Sequence, residues 1–188
     1  RDGSGRILRD QYERRTCGRR SESHGARFSG DGGADGGPRG ERRIHAADFF
    51  TGLYETAIAD DEILLGCELP LAERDDWFGF QELARRHGDY AIAGLAMHLR
   101  FAGPVVQSAR LSWLGLNSTP LRSRKTEALL AGKPLDATTL EMVAASLKEE
   151  LEPIADLTNT GETKKHLATV LARRLLSQAN ATRQSVAA

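Results

Sequence analysis

Cysteine is scarce in this chain, which carries only Cys17 and Cys67 among 188 residues. Two thiols are too few for a disulfide framework, an all-cysteine zinc site or an iron–sulfur cluster, the last two needing about four ligands. A reducing, cytoplasmic compartment is the expectation. Net charge is lacking too: 26 Lys and Arg balance 26 Asp and Glu. Without a global positive field, composition gives no support to nucleic-acid binding or to attraction by anionic membranes. No run of about 18 apolar residues is present and the first residues are charged, so neither a membrane span nor a secretory signal is expected. The five histidines, His24, His45, His87, His98 and His166, show no metal-ligand spacing, and no Gly-x-Ser-x-Gly elbow occurs. Cys67 lies in an apolar stretch that suits an inert thiol better than a nucleophile. The length allows one domain or one and a half at roughly 150 residues each. Position 1 is Arg rather than Met, from which an incomplete chain is expected.

What is present divides by composition. Residues 1–37 are rich in Arg and Gly and have no apolar period of 2 or 3.6, so disorder is expected there. From Arg43 onward, Ile44, Phe49, Phe50, Leu53, Tyr54 and Ile58 bring in apolar anchors. Asp60-Asp61 signals a turn, and residues 62–69 before Pro70 read as a strand. A second strand is expected over 77–84. Residues 90–101 and 105–116, separated by Gly103-Pro104, form a long antiparallel hairpin in this reading. Helix is the rival for 90–99, because Ala, Leu and Met are good helix formers.

The last seventy or so residues read as helical. A short helix is expected over 121–130, stopped by Gly132 and Pro134. A second follows the capping-box spacing Thr138-Thr139-Leu140-Glu141 and carries the stripe Leu140, Val143, Leu147 and Leu151, expected to be buried against the sheet. A third spans 161–178 with Leu167, Val170, Leu171 and Leu175 on one stripe and Lys164, Lys165, Arg173 and Arg174 solvated or C-terminal. The tail from Asn180 is expected to fray. The fold class is α+β: a three-stranded antiparallel sheet packed with a C-terminal helical bundle.

Charged pairs such as Asp75-Asp76 and Glu149-Glu150 read as solvated faces. One cluster differs, Arg85-Arg86-His87-Gly88-Asp89-Tyr90, which joins two expected strands with an Arg pair, a flexible Gly and a carboxylate. It is either a salt-bridged hairpin corner or a contact for a cofactor or subunit.

The succession Ala47-Asp48-Phe49-Phe50-Thr51-Gly52-Leu53-Tyr54-Glu55-Thr56-Ala57, then Asp61-Glu62-Ile63-Leu64-Leu65, then Phe80-Gln81-Glu82-Leu83-Ala84-Arg85-Arg86-His87-Gly88-Asp89-Tyr90-Ala91 resembles the FAD-binding medium subunit of aerobic carbon monoxide dehydrogenases and xanthine dehydrogenases. Thr119-Pro120-Leu121-Arg122, Ala128-Leu129-Leu130-Ala131-Gly132 and Lys164-Lys165-His166-Leu167 resemble further stretches of that family. The resemblance covers about residues 38–178 and implies that 38–72 ends a PCMH-type FAD-binding domain, that 73–179 is the family's C-terminal domain, and that 180–188 is a tail. It implies an electron-transfer flavoprotein subunit: a molybdenum-binding large subunit oxidises substrate, an iron–sulfur small subunit carries electrons, and FAD passes them to an acceptor. Leu64 matches a leucine lying against the flavin. Gln81 matches a position near the ring system that is often Lys in relatives, and a neutral amide there would bring no positive charge. Arg85 and Asp89 match a charged loop near the ring's edge.

The family's two upstream glycine-rich segments, which cradle the FAD pyrophosphate through backbone N–H groups, do not occur. Codons allowed for Arg15-Thr16-Cys17-Gly18-Arg19-Arg20, shifted by one nucleotide, can read Glu-Leu-Ala-Val-Val-Ala, which resembles a missing family strand. Residues 1–37 are therefore either a disordered or an out-of-frame segment. The alternative to a flavin subunit is a non-catalytic domain that contacts partner subunits and has lost flavin.

Overall fold

A computed structural model describes residues 25–30, 41–86 and 88–187, with only the backbone of 25–30 and of the last two. The chain separates into two compact units. One takes the residues up to Phe49 together with Ile58–Pro70, and the other takes Phe50–Ala57 and everything from Leu71.

The first unit is a three-stranded antiparallel sheet in the order β2-β1-β5, formed by β1 (Gly25–Gly30), β2 (Glu41–His45) and β5 (Glu62–Glu68), with a single helical turn, α1 (Ala46–Phe49). Strand β1 departs from the disorder expected of residues 1–37; the remainder of that stretch lies outside the described residues. Its order comes from pairing on both edges rather than from apolar periodicity, so no periodic pattern announces it. Asp60-Asp61 makes the expected turn, closed by the Glu62 N–H donating to the Ala59 carbonyl at 2.9 Å. The Glu62 carboxylate then holds Arg42 through Nε at 2.6 Å. Because Arg42 and Glu62 sit on β2 and β5, that pair spans the central strand.

The second unit holds the core. A small hairpin, β3 (Phe50–Gly52) with β4 (Glu55–Thr56), belongs to it. Its main sheet is an antiparallel meander of β6 (Asp76–Leu83), β7 (Ala93–Ala102), β8 (Val105–Leu114) and β9 (Leu121–Arg122). The expected sheet had three strands. The two-residue β9 is an addition, at the place where the short helix was expected to begin, because Leu121 pairs with Trp113 and Arg122 with Ser112. Strand rather than helix prevails in 93–102. Ala93, Leu95, Met97 and Leu99 alternate into the core, and that burial outweighs a helix propensity difference of a few tenths of a kcal/mol per residue. A bulge opposite Arg100 and Phe101 shifts the register, so that Val106 and Ala109 both point inward although three positions apart.

Three helices cover one face: α2 (Arg124–Leu130) on β8, α4 (Gly161–Ala187) on β6 and β7, and α3 (Ala137–Glu150) on the other two helices. Val143, Leu147 and Leu151 are fully buried while Leu140 is half-buried, and the neighbours of α3 are helices rather than the sheet that had been expected. Close approach of α4 to β6 requires Gly79, whose missing Cβ would stand 2.3 Å from the Trp77 ring and 2.9 Å from Leu175. The N-cap of α3 is Asp136, two residues before the expected Thr138; its carboxylate accepts from the Thr139 N–H at 2.8 Å. Helix α4 continues past the expected fraying point, since no Gly or Pro follows to stop it. Its Arg183 lies 4.2 Å over the Phe101 ring and donates to the Gly103 carbonyl, which fixes the last turns to the β7–β8 loop.

Candidate functional site

Leu64 sits in β5 of the first unit, 45% exposed, with a side chain of purely apolar character available to a ligand. Gln81 lies in β6 opposite Leu95, on the same face as Trp77 and Gly79, and is half-buried. Arg85 and Asp89 lie in the corner that follows β6. The corner forms because Gly88 takes φ 78, a left-handed conformation that Gly adopts without a Cβ penalty, and because the Asp89 N–H donates to the Arg86 carbonyl at 3.2 Å. His87 of the same cluster lies outside the described residues.

The structure brings Arg85 and Asp89 together. An Asp89 oxygen lies 3.6 Å from Nε of both Arg85 and Arg86, and its other oxygen accepts from the Tyr90 N–H at 2.9 Å. One carboxylate thus orients two guanidinium groups, both largely exposed, with their donors free to turn toward an anion. Being exposed, such pairs contribute only about 0–1 kcal/mol to folding, so the arrangement matters for what it presents rather than for stability.

Two tyrosines complete the corner: Tyr90, which ends the charged cluster, and Tyr54, which the sequence presents as an apolar anchor and the structure leaves exposed. Tyr90 is 81% exposed and Tyr54 is 83% exposed. Hydrogen bonding to Tyr90 raises the Tyr54 phenol above its ordinary range. Tyr54 holds φ 59 in the turn of the β3–β4 hairpin, a conformation uncommon for a residue with a Cβ. No periodic signal links two residues so far apart in the chain; only the positive φ marks Tyr54, and φ cannot be read from sequence.

Acidic residues read as solvated prove to be internal fixtures. The Asp76 side chain is 2% exposed; it accepts from Arg100 Nε at 2.8 Å and meets His98 Nε2 at 2.9 Å. Chiefly the Arg100 hydrogen bonds hold its carboxyl well below the usual carboxylate range. Glu150 accepts from the Lys125 and Thr126 N–H groups, at 2.9 and 3.0 Å, and so caps α2. Lys164, expected in solvent, is buried and donates to the Gly115 carbonyl at 3.0 Å beside Asp156 at 2.9 Å.

The described residues differ in how well they suit the parts of a flavin nucleotide. Within the second unit, exposed tyrosine rings beside paired arginines suit a planar ring system with polar edges. At two of the helix starts a carboxylate already stands where a phosphate would sit: Glu150 accepts from the Lys125 and Thr126 N–H groups of α2, and Asp136 from the Thr139 N–H of α3. Among the described residues no group of three or more His, Cys, Asp or Glu could hold a metal ion, and no helix is long and apolar enough to cross a membrane.

An antiparallel meander backed by a helical layer, with this corner at the end of its first strand, makes the second unit an α+β domain. The chain belongs to the CO dehydrogenase flavoprotein C-terminal domain family, whose signature matches residues 78–179. It is 30% identical over 141 residues to the caffeine dehydrogenase subunit beta of Pseudomonas sp. strain CBB1, covering 75% of this chain and 48% of that protein. It is likewise 30% identical over 145 residues to the carbon monoxide dehydrogenase medium chain of Afipia carboxidovorans, covering 77% and 50%. Among solved structures, the reconstituted CO dehydrogenase from Oligotropha carboxidovorans superposes with a TM-score of 0.74 at 28% identity, over 85% of this chain and 53% of that one. The chain therefore spans about half the length of the relatives it matches.

Proposed function

We propose that the chain is the C-terminal part of an FAD-containing electron-transfer subunit of a molybdenum hydroxylase. Residues 38–72 end its flavin-binding domain and residues 73–179 form its C-terminal domain. The partners are a molybdenum-binding large subunit and an iron–sulfur small subunit in a cytoplasmic complex. FAD, when bound, would supply the redox chemistry between the iron–sulfur clusters of the small subunit and an electron acceptor. This chain's residues orient the ring system. Leu64 gives apolar contact, Gln81 offers an amide without charge, and Arg85, oriented by Asp89, presents a cation at the ring's edge. The observation that carries the reading is the Arg85–Asp89–Arg86 corner at 3.6 Å beside exposed Tyr90, within a chain that belongs to a flavoprotein family.

Because the two glycine-rich segments that cradle the pyrophosphate in the family do not occur in this sequence, the chain alone is expected not to hold FAD stably. Contact with the ring system would leave the pyrophosphate in water, and binding would not offset the cost of immobilising the ligand. The test is titration of the purified chain with FAD, followed by flavin fluorescence and calorimetry. Saturable binding tighter than about 10 μM, near −7 kcal/mol, would show that the flavin site has been misplaced. A full-length subunit in which residues 1–37 are restored to the alternative reading frame is expected to be yellow. If it is colourless, the chain is instead a subunit-interaction domain that has lost flavin.

A further inference from the structure

The Arg85–Asp89 corner is closed at its base by the Ile92 N–H, which donates to the Leu83 carbonyl at 2.7 Å. Its returning leg rests on the turn that follows β8. Gly115 holds φ 77 there, and a Cβ at that position would stand 2.6 Å from the Ala91 carbonyl oxygen and 2.9 Å from that of Ile92, so main chain packs directly on main chain. The turn is gripped in its own right by the segment around the start of α4. Lys164 Nζ donates to the Gly115 carbonyl at 3.0 Å, and the Ile154 N–H donates to the Leu116 carbonyl at 2.9 Å.

Lys164 stands in an unfavourable place. It is 6% exposed and lies in the first turn of a helix, where the macrodipole disfavours a cation. Asp156, at 2.9 Å, offsets part of that cost, and its carboxylate also accepts from the Thr158 and Asn159 N–H groups at 2.8 Å each, which fixes the loop that carries it. Packing the helix would need only an apolar side chain; the ammonium adds a strong donor to a carbonyl whose backbone supports the corner. We propose that Lys164 is a positioning residue for the Arg85–Asp89 corner: by holding the Gly115 carbonyl it fixes the surface on which residues 91 and 92 lie, and with them the placement of Asp89 and Tyr90. What that placement does for a flavin rests on the flavin-subunit reading; the placement itself does not, and it is tested without flavin.

Hydrogen exchange of the whole chain at neutral pH, resolved by NMR, reads the corner at the Asp89 amide, bonded to the Arg86 carbonyl, and at the Ile92 amide, bonded to the Leu83 carbonyl. In Lys164→Met both should exchange about tenfold faster relative to the Leu95 and Met97 amides of the sheet, and Lys164→Arg, which keeps a cationic donor, should restore most of the protection. A second signature is optical. Tyr54 titrates above the ordinary tyrosine range because it is hydrogen-bonded to Tyr90, with Arg85, Arg86 and Asp89 as the charged groups of the same corner. Absorbance titration, assigned with Tyr54→Phe, should show this phenol returning toward its ordinary value in Lys164→Met, whereas a loss of stability that leaves the corner in place would not move it. If Lys164→Met does not fold, Asp156→Ala carries the same test, since it keeps the ammonium and removes the group that orients it. Unchanged exchange at Asp89 and Ile92, or a Tyr54 titration that stays where it is, would overturn the proposal. So would acceleration shared equally by Leu95 and Met97, which would make Lys164 a support of the whole fold rather than of the corner.

Discussion

Glu150 caps a helix that is not its own: its Oε2 accepts both the backbone N–H of Thr126, at 3.0 Å, and the Thr126 hydroxyl, at 2.8 Å. Ser123, the residue in the N-cap position of α2, makes no side-chain cap because its Oγ accepts from the buried Trp113 indole N–H at 2.6 Å. Replacing Glu150 by Ala removes the acceptor of the Lys125 and Thr126 N–H groups, while the Thr126 hydroxyl keeps Ser146 Oγ at 2.9 Å. The expected loss is about 1–3 kcal/mol in urea denaturation, with Glu150→Gln costing less because an amide oxygen still accepts.

Ser123→Ala removes the acceptor of a fully buried indole. Trp113 is 0% exposed, so water cannot take the place of the hydroxyl. The expected loss is about 1–3 kcal/mol, accompanied by a change in tryptophan fluorescence of the folded protein.

Leu147 is completely buried in the helical layer. Leu147→Ala should cost about 2–5 kcal/mol by lost transfer energy and the cavity left behind. A loss below about 0.5 kcal/mol in chemical denaturation would place this side chain at the surface.

Gly79→Ala tests overpacking instead. The added methyl meets the Trp77 ring and Leu175, neither of which moves without disturbing the contact between β6 and α4. About 1–3 kcal/mol should be lost, seen as a lower melting temperature with the denaturant slope unchanged.

Acid should weaken the second unit through Asp76. Its carboxyl is held below the ordinary range in the folded state, mainly by Arg100, so the unfolded chain takes up the proton first. The stabilisation is complete above the ordinary carboxylate pKa of about 4 and declines as pH falls below it. Asp156 is shifted in the same direction by Lys164, but it is more exposed and solvent screens it. Stability measured from pH 7 downward should fall less steeply in Asp76→Asn than in the unaltered protein.

Much of the second unit was legible because its burial is periodic. Leu95, Met97 and Leu99 alternate, and Val143, Leu147 and Leu151 recur at helical spacing, so each element announced the face it would bury. Residues whose partners are distant in sequence gave no such signal. Asp76, Glu150 and Lys164 look like ordinary surface charges until the fold sets them against Arg100, Thr126 and the Gly115 carbonyl. The Arg85–Asp89 pair was visible because both residues lie in one corner, whereas Tyr54 joins it only through the β3–β4 hairpin. Strand β1 was missed because its order is imposed by its neighbours.

The borrowed cap on α2 also bears on the order of events during folding. This helix has only seven residues, too short to persist alone, and its first-turn donors find their acceptor only at the far end of α3. Its potential own cap is committed to Trp113 of β8. Helix α2 therefore cannot precede either the sheet or α3 and is a late arrival, set in place after both exist. Substitutions at Thr126 and Glu150 should then accelerate unfolding while leaving the refolding rate almost untouched, the kinetic signature of contacts made after the transition state.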